Sequence, residues 1–308
     1  MLKAVPISSL AILGQKAAIK EPIIALVRKT GVYFLQRVKK QKYRFAEEIN
    51  SKKCHNPLLE TSEKSSFKDR MTNTINELGQ PVGFAVKNFV APTRPSFDRL
   101  AGNSVRVEPI SMDDLPSLYA AFSMDLKGQN WTYMPYGPFA DSGAFVEWAK
   151  LTCFGEDPKF YTIFLDDNPA GLASYLRIEP KVGCIEIGHI HLSPLLQRTR
   201  AGTEALLLMI DWVFGAGYRR LEWKCDALNA PSRRAAQRLG FSFEGIFRQA
   251  TMYKSRNRDT AWYAITDREW LNLERAYQIW KQADNFDAEG RELKKLSELT
   301  SGVLVNRG

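Results

Sequence analysis

Residues 183–215 read GCIEIGHIHLSPLLQRTRAGTEALLLMIDWVFG, gathering Glu186, two imidazoles, two guanidinium groups and Gly202 ahead of or at the mouth of a long apolar run. Two kinds of chemistry call for such residues. Glu186, His189 and His191 are groups that move protons: a carboxylate on a mostly apolar strand needs a partner or a task, and histidine titrates near neutrality. The His-x-His spacing sets both rings on one face of a strand, where they act as a proton relay or as hydrogen-bonding groups at a pocket edge. A metal site is disfavoured, because the only other histidine is His55, in a polar stretch far upstream. The second chemistry is anion binding. Leu206, Met209, Ile210 and Val213 recur at helical spacing and predict a buried helix over 201–214. The first turn of a helix leaves backbone N–H groups unpaired and carries partial positive charge, which suits a phosphate. Arg198 and Arg200 add full charges at that mouth, and Gly202 lets backbone approach a ligand closely. The stretch reads as a phosphate cradle on a rigid support, with a solvated basic turn as the alternative.

The elements that must position these groups alternate along the chain. GCIEIGHIHLS is a strand, and SVRVEPI (104–110), KFYTIFLD, AGLASYLRIEP, RRLEWKCDA, FSFEGIFRQATMYK and DTAWYAITD are six more, with turn signals at DDNPAG and PKVG. Helices are expected from Asp113 through DLPSLYAAFSM, from Asp141 through SGAFVEWAKLT, over NAPSRRAAQRLG up to Gly240, and from near Arg268. Hairpin-linked strands in the middle and helical crossovers near the end give an α/β fold, a mixed and mostly antiparallel sheet of about seven strands with helices on both faces. WTYMPYGPF (131–139) is an aromatic loop stiffened by Pro135 and Pro138. Trp131, Tyr133, Tyr136 and Phe139 either wall a pocket for a planar or cationic small molecule or seal the core beneath the loop.

Composition bounds the partners. Of 308 residues 44% are apolar and 25% charged, as in an ordinary folded protein. The net charge of +9 sits in residues 1–46, with ten Lys/Arg against the single acid Glu21; the remainder has 33 basic and 33 acidic side chains. A nucleic-acid-binding fold carries its basic stripe on the folded part, so that class is set aside. Four scattered cysteines without a C-x-x-C pair indicate a reduced, intracellular protein with no bound metal. No apolar run approaches the length of a membrane span. Residues 1–75 read as a basic extension and polar linker, 76–104 as a Pro-rich lead-in and 105–300 as the domain. Residues 1–46 suit a mitochondrial-matrix presequence, a solvated extension, or an upstream piece before a start at Met71; the expected location is cytoplasmic, or the matrix in the first case.

The strand–basic turn–helix over 184–214, followed by NAPSRRAAQRLGFSFEG, resembles the Gcn5-related N-acetyltransferase (GNAT) superfamily, most closely its Rim-type branch, which includes enzymes that acetylate ribosomal-protein N-termini. Asn229 and Ser232 of the Asn-x-x-Ser, RLGF at 238–241, Glu244-Gly245, Arg258-Asp259 and Thr203-Glu204-Ala205 carry the resemblance, which covers roughly 105–270. It implies a GNAT-like fold and acetyl-CoA as donor. The pyrophosphate would lie on Gln197, Arg198, Thr199, Arg200, Ala201, Gly202 and Thr203. The pantetheine would pair with the strand 186–192, ending at Leu192, and Asn229 and Ser232 would face it. Most members have glycines where Arg198 and Arg200 stand, so guanidinium contacts are expected to replace close backbone approach.

Acetyl transfer to an amine needs a neutral amine, a polarised thioester and a proton for the departing thiolate. Glu186, placed where histone-acetylating relatives carry their glutamate, is the candidate base, directly or through water; the alternative is a carboxylate that only bonds backbone or an arginine. Many relatives place a tyrosine acid where this chain has Ala236, which leaves Ser232 as the proton donor. The expected acceptor is a primary amine of a small molecule or amino-acid-like compound. A protein N-terminus and a catalytically quiet acyl-CoA-binding module are the alternatives.

Overall fold

The computed structural model describes residues 74–308, so the expectations for residues 1–46 lie outside it. A short hairpin, β1 (Thr74–Ile75) with β2 (Pro81–Val82), belongs to one compact unit, and Val86–Gly308 forms the other. That second unit is longer at both ends than the 105–300 expected. The lead-in packs on the sheet through Phe97, stacked 4.6 Å from Tyr161, and Val305 N–H donates to the Ser242 hydroxyl.

The unit is built on an eight-stranded sheet, one strand more than expected because β3 (Leu100–Ala101) is too short to show a pattern. The other strands are β4 (Val105–Pro109), β5 (Lys159–Leu165), β6 (Asn168–Glu179), β7 (Cys184–Leu192), β8 (Arg220–Asp226), β9 (Ser242–Tyr253) and β10 (Arg256–Thr266). Their order is β3-β4-β5-β6-β7-β8-β10-β9, antiparallel except for the parallel pair β7–β8. The helices are α1 (Leu115–Phe122), α2 (Ser142–Thr152), α3 (Arg200–Gly215), α4 (Ala230–Arg238), α5 (Asp267–Lys281) and α6 (Leu296–Ser301).

Strand alternation sorts the apolar residues into two cores. Tyr161, Ile163, Tyr175, Ile185 and Ile187 meet α3 and α5 on one face, while Phe160 and Leu172 meet α1 and α2 on the other. Asp141 caps α2 by accepting from Ala144 N–H, as its position before the apolar run predicts.

The feature that makes a site is the parting of β7 from β8. They pair only over Cys184–Arg220, Ile185–Leu221 and Glu186–Glu222, then separate. The cause lies in β7: between Gly188 and His191 it holds one residue more than β6 does between Leu172 and Ser174, and His189 takes φ +50°. Such a bulge bends a strand and strengthens its twist. It also moves His189 and His191 to the face that Glu186 already occupies, opposite Ile185 and Ile187.

Candidate active site

Past Glu186, from Ile187 to Leu192, the edge of β7 that faces β8 has no strand partner among the described residues. At the end of this edge the chain turns. Ser193 N–H donates to Ala170 O, and Leu196 and Gln197 N–H donate to Ser193 O. The Gln197 side chain donates to Leu192 O at 2.8 Å, so it fastens the strand end to the turn. Arg198 adopts φ +60°, a left-handed conformation that glycine takes freely. The glycine-poor turn therefore keeps a glycine-like path at this position. Thr199 caps α3, its hydroxyl accepting from Gly202 N–H and donating to Leu196 O. The backbone N–H groups of Arg198, Arg200 and Ala201 have no acceptor among the described residues.

Two sequence expectations for this turn are corrected. A Cβ on Gly202 would stand 2.2 Å from Leu196 O, so the glycine makes room for the turn's own backbone rather than for a ligand. The guanidinium of Arg200 donates to Lys281 O and lies 3.7 Å over the Phe286 ring, committed to the C-terminal part of the chain. Of these two arginines, Arg198 alone, exposed and unpaired among the described residues, leaves its side-chain charge at the mouth. Thr203 is buried, its hydroxyl donating to Thr199 O and accepting from Arg238, and Ala201 is buried as well.

Across the parting, Asn229 caps α4 through Ser232 N–H. The Ser232 hydroxyl accepts from Trp223 Nε1 at 3.0 Å and donates its own proton to the Cys225 thiol. Ala236 is fully buried in the core, which leaves no room for a tyrosine there.

At the junction of the two strands, Glu186 is only 4% exposed. Its Oε2 accepts from Arg177 at 2.6 Å and from Lys224 Nζ at 2.8 Å. Lys224, also deeply buried, reaches Glu222 at 2.7 Å and sits 3.8 Å over the Trp262 ring. Glu222 in turn binds Arg220, which pairs with Glu244. Burial pushes the Glu186 carboxyl up from its ordinary value, while Lys224 and Arg177 pull it back. Oε1 is the Glu186 oxygen outside these ion pairs.

The two histidines play different parts. His189 shares a 2.9 Å hydrogen bond between Nδ1 and the Tyr136 hydroxyl, and burial, then the charges of Arg177 and Arg258, lower its pKa to about 4. His191 stacks on Trp131 at 3.7 Å and meets Phe122 edge-on, and burial lowers its pKa to about 3. Both rings are neutral at pH 7. His191 is a core residue, with Nε2 buried and without a partner among the described residues.

The aromatic loop divides in the same way. Trp131 is buried and Phe139 packs against it and Trp148, so these two seal the second core instead of walling a pocket. Tyr133 donates to Leu228 O and Tyr136 meets His189, so these two turn toward the site. The tip of the β9–β10 hairpin joins them: Lys254 Nζ donates to Trp131 O at 2.7 Å, and the Tyr253 hydroxyl donates to Asp226 at 2.8 Å. Lys224 and Tyr253 also border this face and were passed over by sequence reasoning, which met Arg258 only as part of a motif. For Lys224 a signal existed, since Glu222 and Lys224 are charges on one face of an interior strand.

A family model for the acetyltransferase (GNAT) family matches residues 122–241. A GCN5-related N-acetyltransferase from Brucella melitensis, known as a crystal structure, is 40% identical with a TM-score of 0.68, over 70% of this chain and 100% of that one. A probable acetyltransferase of the GNAT family from Chromobacterium violaceum is 37% identical with a TM-score of 0.59, over 62% of this chain and 97% of that one. The ribosomal-protein-serine acetyltransferase of Escherichia coli (strain K12) is 34% identical over 107 residues; the match takes in 34% of this chain and 59% of that relative's length. An open strand edge that leads into a helix N-terminus, in a chain so similar over the full length of a solved member, leaves one assignment: the chain belongs to the GCN5-related N-acetyltransferase family of acyltransferases.

Proposed function

We propose that this chain transfers an acetyl group from acetyl-CoA to the primary amine of a small or amino-acid-like acceptor. The observation that carries the reading is the parting of β7 from β8, which opens strand edge 187–192 directly ahead of the unpaired N–H groups of Arg198, Arg200 and Ala201. Those groups, with the Arg198 side chain, suit a pyrophosphate, and the open edge suits the amides of pantetheine. Acetyl-CoA, when bound there, supplies an activated thioester.

The chain's own residues do the rest. Glu186 takes the amine proton at Oε1, through a water because the carboxyl is buried; Arg177 and Lys224 hold Oε2 and fix its direction. His189, neutral and oriented by Tyr136, lines the same face. Ser232, turning its hydroxyl proton from the Cys225 thiol, gives it to the departing thiolate. Tyr133, Tyr136 and the hairpin tip border the acceptor side, which favours a compact acceptor. A protein N-terminus is the second reading, favoured by the name of the Escherichia coli relative.

The test is thiol release from acetyl-CoA with a panel of amines and a panel of short peptides. Release with free amines, lost in Glu186→Gln, supports the first reading; release with peptides alone moves the assignment to the second. A rate and pH profile unchanged in Glu186→Gln would remove the base and leave the carboxylate as a structural partner of Lys224.

A further inference from the structure

On the acetyl-transfer reading of the site, we propose that the acceptor amine also carries an acid group, a carboxylate, and that Arg258 binds it. The inference starts from the register of β10. Trp262 pairs with Lys224 and Thr260 with Asp226, so both point to the face of the sheet that Lys224 occupies. Arg258 stands two residues before Thr260, past an irregularity in the pairing with β9, and its charge reaches His189 on that same face. That is the face of Glu186 and the displaced His189, and α1 and α2 cover it only over the strands nearer β5.

On this face the charges nearly cancel by pairing. Arg177 and Lys224 hold Glu186, Lys224 and Arg220 hold Glu222, and Arg220 also holds Glu244. Asp226, buried on the same face, accepts from the Tyr253 hydroxyl, and Arg258 makes no ion pair with it or with any other described residue; the Arg258 Nε is buried without an acceptor among the described residues. Four residues along the same strand, Trp262 Nε1 is a second buried donor without one. A buried guanidinium Nε–H without an acceptor is an unfavourable arrangement unless a ligand supplies one. Its planar fork of donors matches a carboxylate.

The location says that the missing anion arrives with the acceptor. Arg258 lies 5.8 Å from the Tyr253 ring, in the hairpin that Lys254 ties to the aromatic loop, and its charge is felt at His189. The donor's phosphates have their own place at the mouth of α3, reached from the other end of the open strand. An acceptor whose amine faces Glu186 and whose carboxylate meets Arg258 would satisfy both ends of the pocket at once.

The deciding experiment is calorimetric binding to the full chain of three free acids, L-phenylalanine, L-methionine and 4-aminobutyrate, each against its carboxamide. Wild type and the variants Arg258→Gln and Arg258→Lys are compared, with acetyl-CoA titrated in parallel. We expect at least one acid to bind about tenfold or more tightly than its carboxamide, as one charge-assisted fork provides. Arg258→Gln should erase that preference, Arg258→Lys should keep part of it, and acetyl-CoA affinity should not change. Equal binding of each acid and its carboxamide, or a preference that survives Arg258→Gln, overturns the proposal. So does loss of acetyl-CoA affinity in Arg258→Gln, which would give the arginine to the donor. Absence of thiol release with any amine would overturn the acetyl-transfer reading separately, because the acid-against-amide comparison needs no turnover.

Discussion

The two ends of the parted strands are built from different materials. The proposed donor end, residues 192–203, is made of backbone: a strand edge, a tight turn and a helix mouth, held by Gln197, Thr199 and the closeness of Gly202 to Leu196. The acceptor end is made of side chains from β6, β7, β8 and β10 and an aromatic loop, with buried charges that depend on one another. A backbone cradle tolerates change in the side chains around it, which is how the turn keeps its form with arginine at 198. A buried charge ladder tolerates little, since removing one member leaves its partner desolvated and unpaired.

The largest effect should come from the acceptor end. Glu186→Gln is expected to lower kcat about 100-fold or more while leaving acetyl-CoA affinity in place. In the wild type the rate should fall as pH drops through the raised pKa of this buried carboxyl, and that limb should vanish in the variant. Loss of acetyl-CoA affinity instead would mean that the two ends are one structure, and the comparison would fail.

Next comes the donor end. A Cβ at 202 meets Leu196 O at 2.2 Å, so Gly202→Ala forces the turn to shift. A destabilisation of about 1–3 kcal/mol and a clear loss of acetyl-CoA affinity are expected, read by denaturant melts and calorimetry.

The histidines sharpen the contrast through acid stability. Unfolded histidine takes a proton near its ordinary value, whereas folded His189 and His191 wait until about 4 and about 3. Between those limits the unfolded chain binds more protons, so stability rises with pH and is lost as pH falls. Each histidine should contribute about 2–3 kcal/mol of this loss between neutrality and pH 4. His191→Phe, which keeps the stack on Trp131, should flatten the slope measured by melts across that range; an unchanged slope would contradict the burial of a neutral ring.

The smallest effects separate the two arginines of the turn. Arg198→Ala should weaken acetyl-CoA binding by about 1 kcal/mol, less at high salt. Arg200→Ala should leave affinity alone and lower stability through the lost contact with Phe286 and Lys281. Equal effects on affinity would return Arg200 to the cradle.

This contrast also explains what could be read from the chain. The helix expected over 201–214 and found over 200–215, and the strands on either side of it, are local patterns and stand where apolar periodicity placed them, while the Thr199 cap went unread. The bulge at His189 was not legible. Strict alternation sets His189 and His191 on the face opposite Glu186, and only the extra residue beside Gly188 brings the three together. The Arg200 side chain was misplaced for a similar reason, because Phe286 lies far along the sequence and no short pattern announces it. The charge ladder was half visible: Glu222 and Lys224 advertise a need for partners, but which carboxylate Lys224 meets is decided by strand order.

The most direct test of the account is titration of the full chain with acetyl-CoA and with S-acetylpantetheine, which lacks the nucleotide diphosphate. The account predicts micromolar-range binding of acetyl-CoA, weakened about 100-fold when the diphosphate is gone, as two charge-assisted hydrogen bonds provide. Equal affinity for the two, or no binding of acetyl-CoA, would show that the α3 mouth holds no pyrophosphate and would contradict the donor half of the site.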